Sequence, residues 1–360
     1  MKIVIRTDAS IKMGSGHVMR CLTLAEELNK NGFDITFISR AHEGNLNGLI
    51  SDKGMKVVEL SAPDSRSAPV GNGCSDDYAE WLGVTREQDV RETINVLGKT
   101  IPDWLIVDHY GLDESWEKTI RSHVKKIMVI DDLANRHHDC EMLLDQNWFD
   151  DKESRYKGLV PAGCTLFLGP EYALLRPEFS EARKTIKPRN DVVKRIFVFF
   201  GGSDPHKLTK MTLRALCESE LSHLEVDVVI GQNNPQKSEL KELCLKRPLT
   251  HLHIQVDEMA SIMVKADLAI GSGGVNTWER ICLNLFSFVV MTASNQKSTI
   301  NDLNEYGYIK YLGVHKNITQ KKIKNCIYKY QNKSKQYKLN EMIIDGMGVD
   351  KISRIIGLTI

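Results

Sequence analysis

Lys2-Ile3-Val4-Ile5-Arg6-Thr7, followed by Gly14-Ser15-Gly16-His17 and then Val18-Met19-Arg20-Cys21-Leu22-Thr23-Leu24-Ala25-Glu26-Glu27-Leu28, is the stretch from which the fold is read. A short apolar strand breaks into a glycine turn and at once into a helix. The glycines let backbone approach a ligand, and the helix start offers free N–H groups and a positive dipole end to an anion. His17 lies inside that turn, and imidazole is the side chain that titrates near neutral pH unaided. A dinucleotide fingerprint would need a third glycine and an acidic residue about 20 positions on, at the close of the next strand. Met19 stands in place of that glycine, and the strand Asp34 to Ser39 runs into Arg40. No Gly-Lys-Ser/Thr follows the turn, so a P-loop is excluded too. A plain strand-to-helix turn with a packed or capping His17 stays open at this point.

The chain of 360 residues is too long for one ordinary core, and its length predicts two domains. With 42% apolar and 26% charged residues it reads as a folded globular protein, and a net charge of +1 offers no argument for nucleic acid or a membrane surface. The eight cysteines include no C-x-x-C pair. Cys21, Cys217 and Cys282 fall among helix-core residues, which predicts reduced thiols in a cytoplasmic protein. No apolar run approaches the roughly 18 residues of a membrane span, and the first strand begins at Lys2, so neither a signal peptide nor a transmembrane helix is expected.

Outward from the opening strand, β-rich runs recur at 34–39, 56–60, 104–108, 126–130, 141–144 and 165–168, with helical patterns between them. Near-continuous apolar strands alternating with helices predict a parallel sheet covered on both faces. Residues 61–77 interrupt the pattern with Pro, Ser, Asp and Gly and read as a loop at the sheet's carboxyl edge. The charged stretch 181–194, with Pro188 inside it, reads as a linker. The same grammar restarts at 195–200, with strands at 226–230, 251–254, 267–270 and 288–291. The expected architecture is α/β, two Rossmann-like doubly wound domains, 1–188 and 189–360, facing across a cleft. The lysine-rich stretch that includes Lys316, Lys321, Lys333 and Lys338 reads as a solvated helix face rather than an anionic-surface patch.

Ligands in such sheets sit beyond the carboxyl ends of the strands, and three loops there carry most of the chemistry. The first holds Gly14 to His17. The second is Gly201-Gly202-Ser203-Asp204-Pro205, where Asp or Ser can cap a helix and Pro suits its first turn. The third, Gly271-Ser272-Gly273-Gly274-Val275-Asn276-Thr277-Trp278-Glu279-Arg280, leaves backbone N–H groups open to a diphosphate. Glu279 is placed to accept from a ribose diol, and Asn295-Gln296 adds uncharged polar groups at the same edge. Asp108-His109-Tyr110 ends a buried strand, where a role in the site and plain packing are both open. Asp131-Asp132 with His137-His138-x-Cys140 matches no compact zinc spacing, and no metal is expected.

With these residues in view the chain resembles the UDP-sugar hydrolases of pseudaminic acid biosynthesis. The resemblance is carried by Arg6-Thr7-Asp8-Ala9-Ser10 through Gly14 to Leu22, by Val107-Asp108-His109-Tyr110-Gly111, Ile130-Asp131-Asp132 and Leu143-Leu144-Asp145-Gln146-Asn147. It continues in Gly169-Pro170-Glu171-Tyr172-Ala173-Leu174-Leu175-Arg176, Gly201 to Asp204, Gly273-Gly274 with Thr277 to Arg280, and Asn295-Gln296. Phe286 departs from it, standing where those proteins usually have proline. The glycine loop before Glu279 is shared more widely, with glycosyltransferases of the GT-B type such as the lipid II N-acetylglucosaminyltransferase. The resemblance implies a GT-B fold, a UDP-sugar substrate, no cofactor, and inverting hydrolysis that releases UDP with His17 as general base. On UDP it implies Gly201, Gly202, Ser203, Gly273, Gly274, Asn276, Thr277, Glu279, Asn295 and Gln296. Toward the sugar it implies Asp8, Gly14, Ser15, Gly16, Arg20, Tyr78, Asp108, His109, Asn147 and Arg176. A glycosyltransferase using a UDP-sugar donor and a non-catalytic UDP-sugar-binding protein are the two alternatives.

Overall fold

The first seven apolar runs form one parallel sheet in the computed structural model, which describes residues 1–63, 78–187, 189, 192–331 and 344–359. Its strands are β1 (Lys2–Thr7), β2 (Asp34–Arg40), β3 (Lys56–Leu60), β4 (Trp104–Asp108), β5 (Lys126–Ile130), β6 (Met142–Asp145) and β7 (Thr165–Leu168). Their order is β3-β2-β1-β4-β5-β6-β7, so the winding reverses between β1 and β4. A second parallel sheet contains β8 (Arg195–Phe199), β9 (Glu225–Ile230), β10 (Thr250–Ile254), β11 (Leu268–Ser272), β12 (Ser287–Met291) and β13 (Lys310–Val314), in the order β10-β9-β8-β11-β12-β13. There the reversal falls between β8 and β11. Both reversals are topological switch points, where the loops that follow the two strands diverge and leave room for a ligand.

Strands buried on both faces need apolar side chains in both directions, which is why the runs are continuous rather than alternating. One face of the first sheet packs Ile3, Ile5, Phe37, Trp104 and Ile106 against Val18, Leu22 and Leu28 of the helix Gly16–Lys30. The other face packs Val4, Leu105, Val107 and Val129 against Val90, Leu97, Trp116 and Ile120.

The chain divides into unit 1, Met1–Leu174 with Met347–Ile360, and unit 2, Leu175–Gly346. The expected division at residue 188 therefore shifts. Helix Pro177–Thr185 belongs to unit 2, and the helix Gly348–Leu358 returns to unit 1. The physical reason is apolar burial, since Val349, Ile352 and Ile356 lie in the same core as Val18 and Leu22. The loop expected at 61–77, from residue 64 onward, Pro188 of the expected linker, and Lys333 and Lys338 lie outside the described residues. No helix among the described residues is long and apolar enough to cross a membrane.

Candidate functional site

His17 stands at the switch point of unit 1, in the first turn of the helix that follows β1. Gly14 makes the entry possible. Its φ of 76° is a conformation that side chains rarely adopt, and its N–H closes a turn onto the Ser10 carbonyl at 2.8 Å. A Cβ added at Gly16 would meet nothing within 4 Å, so open space lies beside the helix start. Ser15, the residue before the helix, makes no side-chain capping bond, so its hydroxyl is not used within the turn.

Asp108, at the end of β4, bonds His17 through Oδ1 to Nδ1 at 2.6 Å. Arg20, one turn along the helix from His17, donates to the same carboxylate twice, from Nε to Oδ2 and from Nη2 to Oδ1, each at 2.7 Å. Burial opposes the ionised form of Asp108, but Arg20 and then His17 outweigh it, and the carboxyl is held far below the usual range. An ionised Asp108 fixes the imidazole with Nδ1–H toward the carboxylate, which leaves Nε2 as the nitrogen that can take a proton. Arg20 continues to Asp132 through Nη1 at 3.0 Å, and the Tyr110 hydroxyl donates to Asp132 at 2.6 Å. Tyr110 packs edge-on to His17 at 4.5 Å between centroids, and Trp81 stacks on Tyr110 at 5.6 Å. Tyr78 meets Trp81 at 4.8 Å and Tyr110 at 5.0 Å. The resemblance names Tyr78 toward the sugar, whereas nothing in the sequence spacing points to Trp81.

Asp8 and His109, expected to touch the sugar, lie in an adjoining buried network instead. Arg6 bonds Asp8 at 2.5 Å and Asp89 at 2.6 Å, Arg40 bonds Asp89 at 2.7 Å, and Trp116 donates its indole N–H to Asp89 at 3.1 Å. Asp8 is 0% exposed and also accepts the Arg40 backbone N–H at 2.7 Å. The Gly111 N–H donates to Nδ1 of His109 at 3.0 Å, so the ring proton sits on Nε2, 3.5 Å from Asp8. Burial pushes His109 down to about 3, against the pull of Asp8, and the ring is neutral near pH 7. Asp8 and His109 thus brace the strand ends behind His17. Asn147 is tied to Asp145 through its backbone N–H at 3.0 Å.

The residues that looked metallic are committed elsewhere. Asp131 pairs with Arg136 at 2.7 Å and accepts from Tyr156, and His138 pairs with Glu117 at 2.7 Å. Among the described residues no group of three His, Cys, Asp or Glu side chains is placed to hold a metal ion. Near them Asp145 accepts from Arg155 at 2.8 Å and from Tyr156 at 3.0 Å. Burial, and then the charge of Asp132, pushes Asp145 up to about 7, against Arg155. An acid whose pKa is higher folded than unfolded keeps its proton in the native state, so its contribution to stability falls as pH rises from about 4 to that value. Thermal unfolding followed from pH 4 to 7 therefore shows a smaller decline for Asp145→Asn than for the wild type. An unchanged difference between the two across that window would contradict this assignment.

Unit 2 brings the glycine loops to its own switch point. Gly201 (φ 94°) and Gly202 follow β8, and a Cβ on Gly202 would reach the Gly231 backbone at 3.6 Å. Ser203 is exposed. After β11, a Cβ on Gly273 would strike Ile300 at 2.5 Å, and Gly274, with φ of 138°, precedes the helix Val275–Cys282. Gly274 is exposed and Asn276 partly so, but Thr277 is buried, its hydroxyl accepting from Arg280 at 3.0 Å. Gln296 folds back to accept the Thr292 N–H at 3.0 Å, with Asn295 before it in the same short turn. Glu279 is buried with Oε2 unpartnered, and burial raises its carboxyl above the usual range, against Arg176. Arg176, expected at the sugar, lies in this unit, 2.9 Å from Glu178 and 3.7 Å from Glu279.

No protein-family model matches the chain. Over 319 residues it is 30% identical to an uncharacterized protein of Methanocaldococcus jannaschii, a match covering 84% of this chain and 58% of that one. The chain thus spans less than two thirds of that relative's length. It is 28% identical over 310 residues to the UDP-2,4-diacetamido-2,4,6-trideoxy-beta-L-altropyranose hydrolase of Campylobacter jejuni, covering 86% of this chain and 98% of that protein. Among solved structures, the Streptomyces sp. SF2575 glycosyltransferase SsfS6 with thymidine diphosphate superposes with a TM-score of 0.65 at 12% identity, over 99% of each chain. The spinosyn rhamnosyltransferase SpnG gives 0.60 at 12%, over 98% of this chain and 96% of that one. Arabidopsis thaliana UGT89C1 with UDP-L-rhamnose gives 0.62 at 13%, over 99% of each.

The fold is GT-B.

These neighbours correct the hydrolase expected from the sequence, together with its place in pseudaminic acid biosynthesis. The architecture is matched from end to end by sugar transferases, SsfS6 and SpnG among them, rather than by hydrolases that release free sugar.

Proposed function

We propose that the chain transfers a glycosyl group from a UDP-sugar to an acceptor hydroxyl, with His17 as general base. The observation that carries this reading is the 2.6 Å bond from His17 to an Asp108 pinned by Arg20 at a switch point. The acceptor O–H gives its proton to Nε2 of His17, its oxygen attacks the anomeric carbon, and the bond from that carbon to the β-phosphate oxygen breaks, the electron pair leaving with UDP. The acceptor is then deprotonated as it attacks, a step worth about 10²–10⁴-fold in such reactions. Gly14, Ser15 and Gly16 shape the sugar end together with Tyr78 and Trp81, while Asp108, Arg20, Asp8 and His109 hold the base and its strand in place.

The UDP donor is assigned to unit 2. The exposed Gly274 at the helix start suits a diphosphate, and the unpartnered Glu279 oxygen suits a ribose hydroxyl. Gly201, Gly202, Ser203, Gly273, Asn276, Thr277, Asn295 and Gln296 complete the proposed nucleotide loops, with Thr277 acting through Arg280. UGT89C1, of the same fold, holds UDP-L-rhamnose, which is in keeping with such a donor.

An NMR time course with a panel of UDP-sugars, with and without saccharide and small-alcohol acceptors, tests the proposal. UDP release that depends on acceptor is expected. Equal release of UDP and free sugar without any acceptor would overturn it. Asp108→Asn should lower kcat by about 10²-fold, because the imidazole loses the partner that orients it. UDP affinity, measured by calorimetry, should stay within about twofold, and a near-normal kcat would remove Asp108 from the mechanism.

A further inference from the structure

Cys140 was singled out in the sequence by its neighbours, and neither the proposed reaction nor a metal accounts for it. It precedes β6 and Cys164 precedes β7, two strands that pair in parallel with Met142 opposite Thr165. Their sulfur atoms lie 3.7 Å apart. Every cysteine among the described residues is a free thiol, and this is the pair in which two sulfurs touch.

We propose that Cys140 and Cys164 are an oxidisable dithiol, a site at which a peroxide forms an intramolecular disulfide between β6 and β7. With Met142 opposite Thr165, Cys140 lies one position out of register from Cys164, and the 3.7 Å between their sulfurs shows that the two side chains reach across that offset. Forming the bond closes the sulfurs from 3.7 Å to about 2.05 Å. The two thiols differ in access. Cys140 is 2% exposed, whereas Cys164 is partly open to solvent and is the one a small oxidant reaches. The contact with Cys140 lowers the Cys164 thiol below its ordinary value, and burial, then Glu141 and Glu117, oppose this. Reaction is accordingly slower than at a cysteine flanked by cations.

The chemistry balances with a peroxide as the oxidant. The Cys164 thiolate attacks one peroxide oxygen, the O–O bond breaks, and a sulfenic acid forms as the other oxygen leaves as water or alcohol. The Cys140 sulfur then attacks the Cys164 sulfur, the S–O bond breaks, and water departs with the Cys140 proton. Two thiols are oxidised by two electrons and one peroxide is reduced.

The bond would tie together the ends of the segment 141–163. Arg155 and Tyr156 of that segment hold Asp145, Asp131 and the Asp132 backbone carbonyl, and Asp132 in turn holds Arg20. Oxidation is thus expected to stiffen the support behind Arg20, with a higher Tm as its main effect.

The test treats the full chain with hydrogen peroxide, blocks residual thiols by alkylation, and maps tryptic peptides. The expected product is a cross-linked pair of peptides, 137–152 and 158–183, two hydrogens lighter than their sum. It should disappear on treatment with dithiothreitol, and the oxidised protein should unfold several degrees higher than the reduced one. Cys164→Ser should leave Cys140 alkylatable after the same treatment and abolish the rise in Tm. Recovery of Cys164 as sulfinic acid with Cys140 still alkylated, or disulfides only between separate molecules, would overturn the proposal. The wild-type peptide map decides the matter even if a variant fails to fold.

Discussion

His17→Leu lowers kcat for sugar transfer by about 10²–10⁴-fold, the range by which a positioned general base accelerates such a step. The substitution removes the imidazole while filling similar space at a position that is 7% exposed, so the helix Gly16–Lys30 and its packing are retained. Asp108 keeps both bonds from Arg20 and is not left uncompensated. Three readouts separate base catalysis from a structural role. The kcat should collapse, UDP affinity by calorimetry should change by less than about twofold, and Tm should move by only a few degrees. Near-normal turnover in His17→Leu would remove the base from the mechanism. A large fall in Tm would instead mark His17 as part of the scaffold.

Asp89→Asn produces the largest loss of stability. The Asp89 carboxylate receives Arg6 at 2.6 Å, Arg40 at 2.7 Å and the Trp116 indole at 3.1 Å, with both arginines and the aspartate fully buried. Burial alone would raise its pKa, but the charge and hydrogen bonds of Arg6 and Arg40 hold it below the usual value. Neutralising it strands part of the charge of two guanidinium groups in the interior. Breaking a buried pair by removing one partner costs about 3–5 kcal/mol. In a unit of this size that is a fall in Tm of roughly 6–20 °C. Urea unfolding with a constant m-value measures it, and a loss below about 1 kcal/mol would mean that water or Asp8 replaces the lost charge. The depressed carboxyl also works against acid. Its stabilisation is present above the unfolded value near 3.9 and drains away as pH falls through the lower, folded one.

Most of the sheet was legible because buried parallel strands must be apolar throughout, and runs such as Ile127-Met128-Val129-Ile130 have no other common use. The strand β13 is not legible in the sequence, for the converse reason. Lys310-Tyr311-Leu312-Gly313-Val314 lies at the sheet edge, and only Leu312 within it is buried. Its register also slips opposite Val289 and Val290. The helix Gly348–Leu358 is legible in principle from Val349, Ile352 and Ile356, spaced as one helical face, but the lysine-rich stretch before it carries the pattern of a solvated face. Within the site, His17 and Arg20 could be paired by helical spacing. Their meeting with Asp108, 91 residues from His17 in sequence, needs the strand order that places β4 beside β1. Asp8 is placed at the sugar by the resemblance alone, and His109, at a strand end, is open to both a site role and packing. A strand-end acid next to Arg6 and Arg40 is equally served by burial, and here ion pairing decides.

The return of helix Gly348–Leu358 to unit 1 has a consequence for how the chain is made. Unit 2 is continuous in sequence and can complete its core once Gly346 has left the ribosome. Unit 1 emerges earlier but stays unfinished, with Leu22, Leu28 and Ile35 awaiting apolar partners supplied more than 300 residues downstream of them. Translation order and folding order are therefore inverted. Unit 1 waits for the helix Gly348–Leu358, and His17, the proposed base, stands on the unit that closes after unit 2.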